Sequence, residues 1–198
     1  MVNLDELQSA LLGVDRTSAE MLTKPYTEVT SVDVSFLKKH QILRILWRRV
    51  VSPVQFYIGY APPNSIFFLT GNPEAFIQMS RADKVSLASP DQALEYFSVF
   101  LEATRPANKL FYLVKGVDEI KWKKKLHDPE IARVDAIKKK YQSTIIPRVK
   151  KIGHRYKVNC FVMQDAELSK IQAFITASGT MELESKTVEM NLPSALGI

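Results

Sequence analysis

Gln55-Phe56-Tyr57-Ile58-Gly59-Tyr60-Ala61-Pro62-Pro63-Asn64-Ser65-Ile66-Phe67-Phe68-Leu69-Thr70 is the stretch on which the fold turns. Gln55 to Tyr60 and Ile66 to Thr70 are dense in aromatic and β-branched residues, which suit a pleated surface. The five residues between them hold two prolines and an asparagine, which favour a turn and cannot continue a ladder. The segment therefore predicts a β-hairpin with a five-residue connection. Hairpin strands run antiparallel, which argues against a purely parallel sheet. Phe56, Ile58 and Tyr60 share one side of the first strand and Tyr57 takes the other. Phe67 and Phe68 flank both sides of the second. Strands apolar on both faces predict a sandwiched core. The competing reading is a ligand pocket lined by Phe56, Tyr60 and Phe67.

Outward from this hairpin, helix starts are well marked. Asn3 precedes a leucine stripe (Leu4, Leu7, Leu11, Leu12), and Gly13 closes it. Asn72-Pro73, Ser89-Pro90 with Gln92, and Asp128-Pro129 each place a capping residue before a proline at the first helical position. Leu37 to Val50 predicts a helix with Leu43, Leu46, Trp47 and Val50 as its stripe and Arg49 among its flanking cations. Short strands are predicted around Val32 to Phe36, at Lys109 to Lys115 after Asn108, and at Tyr156 to Met163. Residues 165–179 favour a helix from Asp165 to Gly179, with a strand through Ile171, Ala173 and Ile175 as competitor. The last strand, Met181 to Leu192, switches faces between Ser185 and Val188, which predicts a bulge. The expected architecture is α+β: a single domain over 1–198 with a mixed or largely antiparallel sheet, N-terminal helices and packed flanking helices.

The 198 residues are 46% hydrophobic and 24% charged, enough to bury a core without metals or disulfides. One cysteine, Cys160, excludes an internal disulfide. The acidic start, Asp5 and Glu6, lacks the pattern of a secretory signal, and no apolar run approaches membrane-spanning length. The default expectation is a soluble cytoplasmic protein without a cofactor.

Charge is unevenly spread. Between Lys121 and Lys157 lie 13 Lys and Arg against 3 acids, a local charge of +10, while the remaining 14 cations and 18 acids leave −4. The candidate polyanion-binding residues are Lys121, Lys123, Lys124, Lys125, Lys138, Lys139, Arg148, Lys150 and Lys151. Phosphates bind such clusters without a special motif, so nucleic acid or an acidic protein is the partner class this charge suits. Lysine outnumbers arginine ten to three in the segment, which suits backbone contact over base reading. The bland alternative is a solvated surface, because three consecutive lysines on a helix fan around about 200°.

No motif for catalysis emerges. Cys160 sits mid-strand between Val158 and Val162, the setting of a buried structural thiol. His40, His127 and His154 are far apart and lack metal-pair spacing. The seven glycines are scattered and form no phosphate-binding loop. Glu102, Asp118, Glu119 and Asp165 lie near element ends, as surface carboxylates commonly do. The sequence thus favours a non-enzymatic binding or interaction protein with a basic face. The alternatives are an enzyme whose site is assembled from non-local residues, and a small-ligand-binding domain using the hairpin at 55–70.

Overall fold

Asn3 opens the fold as a cap: its Oδ1 accepts from the N–H groups of Asp5 at 3.1 Å and Glu6 at 3.4 Å, starting helix α1, Leu4–Leu12. The computed structural model describes residues 2–48, 53–107, 109 and 111–195. Among them are five α-helices, one 3-10 turn and nine strands, and every strand pairing is antiparallel. The chain is α+β, as expected from the hairpin. No helix among the described residues is long and apolar enough to cross a membrane. Contacts gather into two compact units. One holds the described residues up to 86 together with 103–107, the other residues 87–102 and those from 109 onward.

In the first unit, α1 is followed by α2, Arg16–Leu22, whose cap Asp15 accepts from the Ser18 N–H at 2.7 Å. Four strands then form a meander: β1 Thr27–Val32, β2 Gln41–Trp47, β3 Val54–Ala61 and β4 Ser65–Phe68. Leu43, Ile45, Phe56, Ile58 and Tyr60 make one sheet face and pack against Leu7, Leu11, Ala19 and Leu22 of the two helices. The hairpin is thus present, but Ala61 pairs with Ser65, so its connection shortens to three residues.

Two expectations fail here. The helix from Leu37 to Val50 is instead β2, with Arg49 and Val50 outside the described residues. Ile42 and Leu43 are both fully buried on opposite faces, which a strand between β1 and β3 satisfies and a one-sided helix does not. The strand expected through Val34 and Phe36 lies earlier, at β1, and Phe36 is buried beyond its end.

The other sheet face meets helix α3, Pro73–Asp83, capped by Asn72 through the Ala75 N–H at 3.1 Å. Gly59 is the contact point: a Cβ there would lie 2.1 Å from the Met79 sulfur. α3 ends on Asp83, a carboxylate at the negative end of a helix, where it is unwelcome. It is satisfied by the loop before β2. The N–H groups of Lys38, Lys39 and His40 donate to it at 2.7, 3.0 and 2.7 Å, and His40 Nδ1 lies at 2.9 Å.

The second unit opens with helix α4, Pro90–Thr104, counted with this unit through Glu102. Ser89 Oγ accepts from the Gln92 N–H at 3.1 Å, as its capping pattern predicts. Strand β5, Phe111–Val114, follows; the expected boundary at Asn108 lies outside the described residues. A 3-10 turn at Val117–Glu119 leads to α5, Asp128–Tyr141. Its cap position is His127, one residue earlier than the Asp128 pattern suggests, and the His127 N–H donates to Glu130 at 3.0 Å.

Four more strands complete this unit: β6 Arg148–Ile152, β7 Arg155–Gln164, β8 Glu167–Thr176 and β9 Met181–Glu189. The helix favoured over 165–179 is therefore a strand. Asp165 is not an N-cap but sits at φ +50° in a two-residue turn, with Gln164 paired to Glu167. Gly179, at φ +83°, turns the next hairpin instead of ending a helix. Aspartate and glycine serve both ends of a helix and both ends of a hairpin strand, and cross-strand pairing decided between them. The predicted bulge is present: Ser169 pairs with Thr187 and Leu168 with Glu189, leaving Val188 extra.

One face of the sheet formed by β5 to β9 carries Tyr156, Val158, Cys160 and Val162 of β7, all buried. The Tyr156 hydroxyl donates to the Leu87 carbonyl at 3.1 Å, and the Tyr96 hydroxyl of α4 donates to Gly179 at 2.9 Å. On the opposite face, α5 covers Phe161, Met163, Val114 and Leu168 through Ile137 and Tyr141. That helix reaches only part of the face.

Candidate functional site

Among the described residues the rest of this face is exposed or half-buried, and strand alternation decides what it presents. Register places Arg148 beside Asn159, Lys150 beside Lys157, and Lys157 beside Phe174. Further across, Lys170 stands beside Lys186 and Gln172 beside Glu184. Six cations, Arg148, Lys150, Arg155, Lys157, Lys170 and Lys186, therefore share it with two carboxylates, Glu182 and Glu184. A cavity of about 500 Å³ is lined by Ile146, Arg148, Lys150, Lys157, Asn159 and Lys170 among others. A second, of about 280 Å³, continues past Asn159 and Lys170 to Gln172 and Lys186.

The two carboxylates are engaged at the margin. Arg155 pairs with Glu182 at 3.1 Å, and Gln172 donates to Glu184 at 3.1 Å. Among the described residues, no ion pair engages Lys150, Lys157, Lys170 or Lys186. Lys157 Nζ lies 5.3 Å from the Phe174 ring centre, which holds its stem against the sheet. Like charges gathered without counter-ions repel one another, so the arrangement gains from an anion that spans them.

The expected basic residues divide sharply. Arg148 and Lys150 belong to this face. Lys151 points to the other one, 5.9 Å from the Tyr156 ring. Lys121 lies over Tyr112 at 5.4 Å, and Lys123 pairs with Glu130 at 3.1 Å. Lys138 pairs with Asp118 at 3.5 Å; Lys139 is exposed on α5, and Lys124 and Lys125 are exposed in the loop before it. Their neighbour Lys140 binds Glu189 at 2.7 Å and, with the Tyr141 hydroxyl, holds that carboxyl below the usual range. Charge summed along the chain missed Lys170 and Lys186, which lie beyond the basic segment. Strand register with β7 is the signal that would have found them, and it needed β8 to be read as a strand.

The proposed aromatic pocket residues also divide. Phe56 and Tyr60 face α1 and α2, whereas Phe67 lies on the other side, 5.5 Å from the His40 ring. Burial, with the charge of Glu6, pushes the Tyr60 phenol up, and its hydroxyl has no hydrogen-bond partner among the described residues. Cys160 is buried, and that burial pushes its thiol up to about 12. Among the described residues, no group of three or more His, Cys, Asp or Glu could hold a metal ion. No family model, curated protein or solved structure matches the chain.

Proposed function

We propose that this chain is a binding protein that holds single-stranded nucleic acid on the open half of its β6–β9 sheet. The observation that carries this reading is the row Lys150, Lys157, Lys170 and Lys186, none of them in an ion pair among the described residues, around two adjoining cavities. A phosphate backbone supplies a line of anions at a spacing that lysines on neighbouring strands can follow. Asn159 and Gln172 add amide groups between the cations, and amides can both donate to and accept from base edges. Lysine in place of arginine predicts weak sequence preference.

Fluorescence anisotropy with oligothymidylate and a matching RNA, at about 50 and 200 mM salt, tests this. Lys150→Glu with Lys157→Glu is expected to abolish binding that Lys124→Glu with Lys139→Glu leaves largely intact. Salt-dependent capture of polyglutamate but not of either oligonucleotide would assign the face to an acidic protein instead. Binding that ignores salt, or that survives the first pair of substitutions, overturns the proposal.

A further inference from the structure

We propose a second site, in the first unit: Ser65 as nucleophile, His40 as general base and Asp83 as its positioning residue, cleaving small carboxylic esters. His40 Nε2 lies 2.9 Å from Ser65 Oγ, and Nδ1 lies 2.9 Å from Asp83 Oδ2. A nucleophile, a base and an orienting group linked in this way make up the arrangement by which a neutral hydroxyl becomes reactive.

Several observations give the array direction. The Asp83 side chain is fully buried, yet it takes three backbone N–H groups as well as the imidazole. Burial alone would raise its pKa; those donors outweigh burial and hold the carboxyl below the usual range. An ionised carboxylate only accepts hydrogen bonds, so Nδ1 carries the imidazole proton. In neutral His40 the lone pair on Nε2 then faces the Ser65 hydroxyl. Phe67 packs against the imidazole in a T-shaped contact, ring centres 5.5 Å apart. At the other end, Ser65 is exposed at the start of β4. His40 thus links a buried carboxylate to a hydroxyl open to solvent.

The chemistry balances with water as the only co-reactant. Ser65 Oγ bonds to the ester carbonyl carbon as its proton passes to His40 Nε2. The C–O bond to the leaving alcohol breaks, and His40 returns the proton to that oxygen. Water, giving a proton to His40, then attacks the acyl–Ser65 carbonyl; the acid departs and Ser65 regains its proton. The Asp83 carboxylate stabilises the imidazolium formed in each half.

A fluorophosphonate probe and p-nitrophenyl acetate, applied to the full chain, test this. Mass spectrometry is expected to find one phosphonate adduct, on Ser65. Ser65→Ala removes one exposed hydroxyl and its hydrogen bond to His40; circular dichroism checks that the variant is folded, and it should lose both adduct and turnover. His40→Gln should slow labelling by about 10²- to 10⁴-fold. A folded protein that takes no label at Ser65, or hydrolysis unchanged in Ser65→Ala, overturns the site. Oligonucleotide binding by Ser65→Ala is read separately, so failure here leaves the basic face untouched.

Discussion

Cys160 shows how completely surroundings set the behaviour of one residue. With its thiol pushed up to about 12 by burial, almost no thiolate forms near neutral pH. The folded protein should resist iodoacetamide, and the same sample in denaturant should gain one adduct by mass. Rapid alkylation of the native chain would contradict its buried placement. Asp83 is the opposite case, a charge kept because it is fully partnered. Replacing it with Ala leaves three backbone N–H groups without their acceptor, and chemical denaturation should register a loss of about 3–5 kcal/mol. Its carboxyl titrates lower in the folded chain than the ordinary 3.8. The stabilisation it contributes is therefore complete above the unfolded value and is lost as pH falls through the folded one. Acid titration of stability should steepen below about pH 4, and Asp83→Asn should flatten that limb.

Elements carry their own constraints. The β7–β8 hairpin turns on Asp165 at φ +50°, a conformation that aspartate tolerates and β-branched residues resist. Asp165→Val should cost about 1–2 kcal/mol, while Asp165→Gly should be near neutral, both read from denaturation midpoints. Gly59 serves a different need, the close approach of α3 to β3. Gly59→Ala should destabilise by about 1–3 kcal/mol through overpacking. The penalty should shrink in a Met79→Ala background, because the methyl then meets space instead of sulfur. At this scale much was legible in the residues. Asn3, Asn72 and Ser89 announce their helices because a cap acts within three or four positions. Ile42 to Trp47 and Leu168 to Ile175 were not legible, since their apolar residues satisfy a helical stripe and a two-faced strand alike.

At the scale of the whole molecule, net charge is a poor guide until the sheet has folded. The basic segment reads as one block, yet its cations go to a helix, a loop and both faces of a sheet. The cations that converge come from four strands and include two outside that block. If four or five of them meet phosphates, the logarithm of affinity should fall with the logarithm of salt at a slope of about −3 for a single strand. Lys170→Gln should lower that slope by somewhat less than one, whereas Lys151→Gln, on the opposite face, should leave it unchanged. Isothermal titration across a salt series measures both.

By itself the sequence determined the α+β class, the hairpin at 55–70, most helix starts, the bulge near Val188 and the burial of Cys160. Each rests on signals confined to a few neighbouring positions: caps, turn residues, or alternation within one strand. Only the tertiary structure decided which lysines share a face, and that Ser65, His40 and Asp83 meet. His40 and Asp83 are 43 positions apart, and His40 and Ser65 are 25 apart. No local pattern joins residues at that separation. The β2–β3–β4 meander and the end of α3 bring them together, and a register shift of one residue would turn each strand's side chains to the other face.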